Sequence, residues 1–494
     1  MTKKYPDTTL PKDDTHNKRT YLYVEETPDA DYKRAPQTAV DAFKDIKFAV
    51  RIHFGLYSMK KLNGESWGYL GMTHAEKAEY NELYKSFNPT KFNADEWMTL
   101  FADSGLQAFT FTAKHHEGFS LFDTKARIKK RVSWAATNPK IEDCDLAYSV
   151  AETPFKRDIV KELCGAARKK NIKIGLYYSH PDWYDFDFAP YVYHPARPVN
   201  EADLVTAQEL TEWRMGAESF FYNAPAITTE NEDRMVARHR KQITELLTNY
   251  GDIDMLCLDM WFGAHIWPRV KETIKAARKI QPNVMMRCRG IGNYGDYYTP
   301  ENFLPGKPEN TGLPWMVIYG LGNSFSYDAE TKNYKGADWI IQNLASAVSK
   351  GGSFMVGIGP DGSGAFHPEA VRQLLEVGKW LKVHGEAIYG SQMYDPKHYE
   401  EKHGDNVAYF TSSADRKYAY AISTGAAAHH VVISLDRSNL GSIELLTPSG
   451  AKPVSEADIT KLDGMFIIPK EVVQRLCGGK YAHASVIRLS GSIM

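Results

Sequence analysis

Short apolar runs alternate with amphipathic stretches along residues 46–390 of the 494-residue chain. The apolar runs have the length of buried parallel strands, and the stretches between them carry apolar residues at helical spacing. The predicted strands are 48–55, 107–113, 172–178, 253–258, 283–289 and 352–359, and the stronger predicted helices are 230–250, 270–280, 337–350 and 368–384. This order predicts a parallel sheet with right-handed crossovers, and the strand count approaches that of a closed (β/α)8 barrel.

The pattern changes at both ends of this region. After residue 390, short strands are separated by turns rich in Ser, Gly, Asp and Pro, which is typical of an antiparallel β-sandwich. Before residue 46, the chain is charged, contains proline and shows no periodicity. We therefore predict three parts: an N-terminal extended arm over 1–45, a (β/α) barrel over 46–390 and a C-terminal antiparallel β-sandwich over 391–494.

Composition excludes several classes of function. The net charge of −1 gives no indication of binding to nucleic acid or to an anionic membrane surface. The five cysteines are scattered without a CxxC pair, so neither a disulfide framework nor a zinc ribbon is indicated. No apolar run approaches the length of a transmembrane helix, and the polar N-terminus lacks the apolar core of a signal peptide.

Polar side chains cluster at the carboxyl ends of the predicted strands. The clusters are His53, His115 with His116, His180 with Asp182, Asp259, and Arg289. Barrel enzymes assemble their active sites at this face, so the positions support a barrel with a site on that side.

Asp259 is the strongest candidate for chemistry. It follows the apolar run 253–258 and is followed closely by Trp261, Phe262 and Trp267. Aromatic faces cover the apolar patches of sugars, and a carboxylate between them can act as a nucleophile or a base. The alternative is that Asp259 caps the next helix.

Several motifs resemble those of the α-L-fucosidase family of retaining glycoside hydrolases, and they occur in the family's order. They are FNP at 87–89 with EW at 96–97, TAKHHEGF at 112–119, GLYYS at 175–179 with DW at 182–183, VSKGG at 348–352 and GEAIYG at 385–390. The resemblance implies a (β/α) barrel followed by a β-sandwich. It also implies exo-acting hydrolysis of terminal α-L-fucosyl residues of oligo- or polysaccharides by double displacement, without a cofactor or a metal.

The resemblance also implies roles for single residues. Asp259 matches the family nucleophile. The residues that match sugar-binding positions are His53, His115 and His116, which hydrogen-bond sugar hydroxyls, and Trp67, Tyr177 and Arg289, which line the sugar subsite. Family members suggest a secreted or periplasmic enzyme. His180 and His265 are interpreted as structural or solvated.

The chain departs from the family pattern at the general acid. The family often places this acid in a WE dipeptide some distance after the nucleophile, and the matching position here is Trp315-Met316. A thioether donates no proton, so we predict that Glu301 takes this role, with Glu309 as the alternative. Phe54 and Cys257 stand where the family often has tryptophan, and both changes are expected to alter the wall against the sugar.

These departures keep other hypotheses open. The sugar could be a sulfated fucose, L-galactose or an anhydro-galactose of algal polysaccharide, or the chain could bind carbohydrate without catalysis. A metal-dependent barrel hydrolase is a further alternative. It is disfavoured because no HxH follows the first strand and because adjacent His115 and His116 side chains are expected to diverge on an extended segment.

Overall fold

A computed structural model describes most of the chain. The described residues are 15–60, 64–135, 139–189, 193–196, 224–308, 312–331, 333–425, 431–434, 440–462, 465–479 and 483–491. Among them, no helix combines the length and the apolar character needed to cross a bilayer.

A parallel barrel forms the larger part of the molecule. Seven strands pair in this spatial order: Met285–Met286, Met255–Asp259, Lys173–Ser179, Ala108–Lys114, Phe48–Ile52, Ser353–Ile358 and Met316–Gly320. Parallel bridges join Arg287 to Tyr297 on one side, and Tyr298 to Trp315 and Glu301 to Ile318 on the other. The segment 297–301 therefore lies between the two outer strands and takes the eighth place in the barrel.

The predicted (β/α)8-like barrel is thus confirmed, with two additions that the pattern did not indicate. The strand Met316–Gly320 was not predicted, and the closing segment 297–301 lies within a stretch that reads as a loop. Both are short, and the closing segment is rich in Tyr, Thr and Pro. Their extended conformation is set by the neighbouring strands, which supply the backbone partners.

Helices cover the outside of the barrel. The longer ones are His74–Glu82, Ala94–Asp103, Ile159–Lys169, Thr229–Thr248, Trp267–Ile280, Ala337–Ser349 and Pro368–His384. The helix Thr229–Thr248 shows why they form. Thr228 and Asn231 make a reciprocal capping box at its start, and Met235, Ile243 and Leu246 form its buried face.

The N-terminal segment is not the extended arm that was predicted. Its described part contains the helices Thr15–Thr20 and Gln37–Lys44. Tertiary contacts explain this difference, because Tyr32 Oη donates to Tyr294 O at 2.5 Å and Ala35 N donates to Asp296 Oδ1 at 2.9 Å. Smaller elements elsewhere are the helix Leu56–Lys60 and a hairpin of Ile128–Ser133 with Lys140–Leu146.

Two antiparallel sheets form the predicted C-terminal β-sandwich. The larger sheet has the spatial order Ser391–Met393, Asn406–Ser413, Tyr418–Thr424, Ser485–Gly491, Leu440–Thr447 and Gly450–Pro453, with Glu400–His403 paired to the second strand. The smaller one contains Val431–Ile433, Met465–Ile468 and Thr460–Leu462, and the short helix Lys470–Leu476 follows it. Apolar side chains of both sheets share one core.

The larger sheet also contacts the barrel helices. Trp380 Nε1, on the helix Pro368–His384, donates to Ala484 O at 2.8 Å, and Thr411 Oγ1 donates to Ala387 O at 2.8 Å. The first strand of the sandwich begins at Ser391. The boundary near residue 390 stays a prediction.

Candidate active site

Asp259 ends its strand in the mouth of the barrel and is largely buried, with 8% of its surface exposed. Its Oδ2 accepts a hydrogen bond of 2.5 Å from Tyr177 Oη. Its Oδ1 lies 2.9 Å from Arg289 Nη1 and 2.8 Å from Arg287 Nη2. The following helix begins only at Trp267, so the alternative that Asp259 caps it is wrong. Two guanidinium groups and a hydroxyl offset the cost of burying this carboxylate.

Glu301 and Asp259 both contact Arg289. Arg289 contacts Asp259 with Nη1 and lies 2.6 Å from Glu301 Oε2 with Nη2. Glu301 stands at the carboxyl end of the closing segment 297–301, on the same face as Asp259, and 30% of its side chain is exposed. The structure therefore brings the two predicted carboxylates to one guanidinium. Glu309 lies outside the described residues.

Three histidines form one side of the site. The ring of His53 lies 5.6 Å from that of His115 and 6.0 Å from that of Tyr177. His115 Nδ1 is 2.5 Å from Ser66 Oγ, and His116 Nδ1 is hydrogen-bonded to Ser179 Oγ. The two serine hydroxyls thus hold both rings in place beside the barrel mouth.

The expectation that His115 and His116 diverge is wrong. Their ring centroids are 4.1 Å apart. The strand ends at Lys114, and a turn closed by the bond from Gly118 N to His115 O brings both rings to the same side. Tyr177 stacks on His115 with centroids 5.4 Å apart and planes 14° apart.

Burial keeps His53 and His115 neutral. It lowers the pKa of His53 and of His115 well below the ordinary value of 6.5, and neighbouring cations act in the same direction. Neutral imidazoles can both donate to and accept from sugar hydroxyls. The cluster is therefore suited to binding an uncharged polyol.

Aromatic side chains extend the wall outwards. Trp67 lies 4.9 Å from His116, 5.4 Å from Trp183 and 5.9 Å from Tyr193, measured between ring centroids. Tyr193 in turn contacts Trp261 at 5.6 Å. Trp67 thus joins the predicted site as part of a continuous aromatic surface.

Two predicted departures from the family pattern lie away from this wall. Phe54 is buried and packs against Phe87 and Trp97, with centroids 5.6 and 6.2 Å away. Cys257 is buried inside the barrel, where its Sγ accepts a hydrogen bond of 2.7 Å from Arg51 Nη2. Neither residue forms the ring-facing surface that the sequence interpretation gave it.

Met316 also lies away from the carboxyl ends of the strands. It is buried at the start of its strand and packs with Ala49, Met255 and Met355 in the lower barrel core. This position is opposite to the end that carries Asp259. A methionine there therefore says nothing about the presence of a general acid.

Other strand-end residues have structural roles. His180 Nδ1 is 3.2 Å from His239 Nε2, and its Nε2 is 3.3 Å from Arg289 O, while burial lowers its pKa to about 3. Asp182 is buried and forms an ion pair with Arg238 of the helix Thr229–Thr248. His265 is exposed.

Sequence reasoning missed three charged residues at the site. Arg287 contacts the nucleophile candidate, as described above. Glu65 is buried, its Oε1 accepts hydrogen bonds from Phe325 N and Ser326 N at 2.8 and 2.9 Å, and burial raises its pKa to about 7. Glu117 lies 3.7 Å from His115 Nδ1, and burial raises its pKa to about 8. The one indication in the sequence was that Arg287 and Arg289 are two residues apart within one predicted strand, a spacing that places both side chains on the same face.

Within the described ranges, no group of three or more His, Cys, Asp and Glu side chains could hold a metal ion. The donor atoms that converge on Asp259 come from arginine and tyrosine, which suit an anion.

Fold and site together define a (β/α)8-barrel glycoside hydrolase with a largely buried carboxylate in the mouth of the barrel. The model of the α-L-fucosidase family matches residues 13–386, and the chain belongs to this family. An α-L-fucosidase of Dictyostelium discoideum is 26% identical over 373 residues, covering 71% of each chain. Plasma α-L-fucosidase of Homo sapiens is 25% identical over 410 residues, covering 77% of this chain and 75% of the human protein.

Solved structures share the fold. Alpha-L-fucosidase isoenzyme 1 from Paenibacillus thiaminolyticus superposes with a TM-score of 0.69 at 23% identity, covering 92% of this chain and 99% of that one. A Bacteroides thetaiotaomicron α-L-fucosidase trapped as a covalent intermediate superposes with a TM-score of 0.68 at 20% identity, covering 94% and 98%. Barrel and sandwich are thus present in the same order in these proteins.

Proposed function

We propose that this protein is an exo-acting, retaining α-L-fucosidase that cleaves terminal α-L-fucosyl residues from oligo- or polysaccharides. Membership of the family supports the sugar and the reaction class. One observation carries the mechanism: Arg289 contacts both Asp259 and Glu301. In retaining glycosidases the two carboxyl groups are only about 5–5.5 Å apart, because the nucleophile attacks the sugar directly without an intervening water, and one guanidinium in contact with both groups is compatible with that spacing.

Double displacement assigns a role to each group. Asp259 attacks the anomeric carbon while a carboxylic acid donates its proton to the glycosidic oxygen, so the bond to the leaving alcohol breaks and a glycosyl ester forms. The same second group, now a carboxylate, takes a proton from water, whose oxygen displaces Asp259 from the anomeric carbon. The histidines His53, His115 and His116 bind the sugar hydroxyls, and Trp67 covers an apolar sugar face.

Glu301 is our candidate for the acid and base. It stands at a strand end next to Arg289 and is partly exposed, so water and a leaving group can reach it. Glu65 is a second candidate, favoured by its pKa of about 7, which keeps it protonated near neutral pH. It is buried and its Oε1 accepts two backbone hydrogen bonds, which limits its reach.

Turnover of an aryl α-L-fucoside tests the sugar and the nucleophile. An activated aryl group leaves with little help from an acid, so the assay does not depend on the choice between Glu301 and Glu65. We expect turnover by the wild type with or without a chelator, and a fall of at least about 10³-fold in Asp259→Ala. Loss of turnover on chelation would instead support the metal-dependent alternative.

A leaving-group comparison separates the two acids. Glu301→Gln and Glu65→Gln are each assayed with an activated aryl fucoside and with a fucosyl disaccharide. Loss of the acid is expected to reduce disaccharide cleavage by about 10²–10⁴-fold and aryl fucoside cleavage far less. External azide should restore aryl fucoside turnover only in the variant that lacks the acid/base. A larger disaccharide defect in Glu65→Gln would overturn the assignment of Glu301.

The same assays also test three alternatives to the proposed function. The comparisons give no support to a site for L-galactose or anhydro-galactose, or to a non-catalytic binding protein. An inactive wild type would be screened on these sugars and then for glycan binding without turnover. From the family we also propose an exported enzyme, secreted or periplasmic, which fractionation of the source cells would test.

A further inference from the structure

We propose that Arg287 is a positioning residue for the nucleophile, whose guanidinium holds the Asp259 carboxylate ionised and oriented for attack. The inference rests on the proposed role of Asp259. It concerns a residue that neither the sequence pattern nor the family motifs single out, two positions before the sugar-site residue Arg289.

Three contacts join Arg287 to the strand that ends at Asp259. Its backbone N donates to Leu256 O at 3.0 Å, which continues the ladder between the two strands. Its Nε donates to Leu258 O at 2.6 Å, and its Nη2 lies 2.8 Å from Asp259 Oδ1. The contact of Nη2 with Asp259 is an ion pair without hydrogen-bond geometry, and the bond from Nε to Leu258 O holds this charge beside the carboxylate.

Burial separates the role of Arg287 from that of Arg289. Arg287 has 0% exposure, and its guanidinium lies 5.8 Å from the centroid of the Tyr177 ring, inside the barrel. It cannot contact a sugar, so it acts only through Asp259. Arg289 reaches the same oxygen from the site and also contacts Glu301.

Charge makes this contact important for activity. A largely buried carboxylate is disfavoured in its charged form, and a cation in contact reverses that preference. The charged groups around Asp259 are Arg287 and Arg289 in contact with it, Glu301 beyond Arg289, and Arg51 in the layer beneath, where it is bound to Cys257. Removal of Arg287 would leave one cation in direct contact with the nucleophile among the described residues.

Tyr177, His53, His115 and His180 carry no charge in the mildly acidic range. Tyr177 donates its hydroxyl proton to Asp259, and burial raises its pKa well above 10. Burial lowers the pKa of His53, His115 and His180, the last to about 3. The acidic limb of a reaction that needs only the nucleophile is therefore set by carboxylates, and Arg287 contacts the carboxylate of Asp259.

Covalent labelling provides such a reaction. The full-length protein is treated with 2-deoxy-2-fluoro-α-L-fucosyl fluoride, whose fluoride leaves with little acid assistance, and the glycosyl–enzyme is followed by intact mass against pH. The labelling rate falls on the acid side of its pH profile. In Arg287→Gln, we expect the midpoint of this acidic limb to lie about one pH unit higher than in the wild type. In Arg287→Lys, which keeps the charge but loses the planar fork, the limb should stay in place while the plateau rate falls at least about tenfold.

Arg278→Gln is the matched control. Arg278 is also buried and paired with a carboxylate, Asp296, but on the helix Trp267–Ile280. Arg278→Gln should lower the melting temperature and leave the acidic limb of the labelling rate at its wild-type pH. An unmoved limb in folded Arg287→Gln would overturn the proposal. If that variant does not fold, a wild-type plateau rate in Arg287→Lys would do so. An unlabelled wild type would overturn the proposed function itself, and this inference with it.

Discussion

Tyr177 donates a hydrogen bond of 2.5 Å from its hydroxyl to Oδ2 of Asp259, while its ring stacks on His115. The next residue, Tyr178, points to the other side of the strand, where its hydroxyl donates to Gln242 Oε1 at 2.9 Å. Two adjacent tyrosine hydroxyls thus each donate a hydrogen bond. One acceptor is a carboxylate at the site, and the other is an amide oxygen between the barrel and a helix.

This pair gives a matched test of the site. Tyr177→Phe keeps the stacked ring and removes only the donor to the carboxylate. A hydrogen bond to a charged group contributes about 1.5–3 kcal/mol, so we expect kcat/KM for an aryl α-L-fucoside to fall about 10–100-fold. Tyr178→Phe should leave kcat/KM within about twofold and lower the free energy of unfolding by about 1 kcal/mol. Equal kinetic defects in both variants would contradict the assigned geometry.

Glu117 should make the stability of the protein depend on pH. Burial raises the pKa of Glu117 from 4.5 to about 8. Below pH 4.5 the carboxyl is protonated in the folded and unfolded states alike, so its contribution to stability is fully present. As pH rises to about 8, the unfolded chain ionises first, and stability falls by an amount on the order of 4 kcal/mol.

Glu117→Gln removes this titration. The melting temperature of the variant, relative to the wild type, should therefore rise between about pH 5 and about pH 8. Glu272→Gln, an exposed position on the helix Trp267–Ile280, serves as the control and should show no such trend. Thermal unfolding followed by circular dichroism checks both. A constant difference between Glu117→Gln and the wild type would show that Glu117 is ionised in the folded protein.

Cys257 should contribute to stability as a hydrogen-bond acceptor. Arg51 Nη2 donates to its Sγ at 2.7 Å in the barrel interior. Cys257→Ala leaves this buried guanidinium short of an acceptor, which should cost about 1–3 kcal/mol more than Cys164→Ala. Cys164 is also buried, but its Sγ lies on the apolar face of the helix Ile159–Lys169. Urea unfolding of the two variants, with Cys257→Ser as the partial rescue, measures the difference.

Much of the barrel could be predicted from local pattern. Strands such as Lys173–Ser179 and Met255–Asp259 are continuous apolar runs between helices with clear ends, so their type and order are visible in the sequence. The segment 297–301 and the strand Met316–Gly320 were missed, since they are extended only because flanking strands supply their hydrogen bonds.

For the site, the sequence by itself determined which polar residues lie together at the strand ends. The positions of His53, His115, Asp259 and Arg289 after apolar runs were enough, because parallel strands bring their carboxyl ends to one face. Family motifs added the sugar class, α-L-fucosides, and the matched family model supports it.

Tertiary structure alone decided how those groups meet. Arg289 joins Asp259 to Glu301, Arg287 reaches Asp259 from inside the barrel, and Glu65 is bound to the backbone of Phe325 and Ser326. Contacts of this kind depend on barrel closure, which brings residues far apart in sequence within hydrogen-bond distance. Burial then sets the charge of each group, and burial is a property of the folded chain.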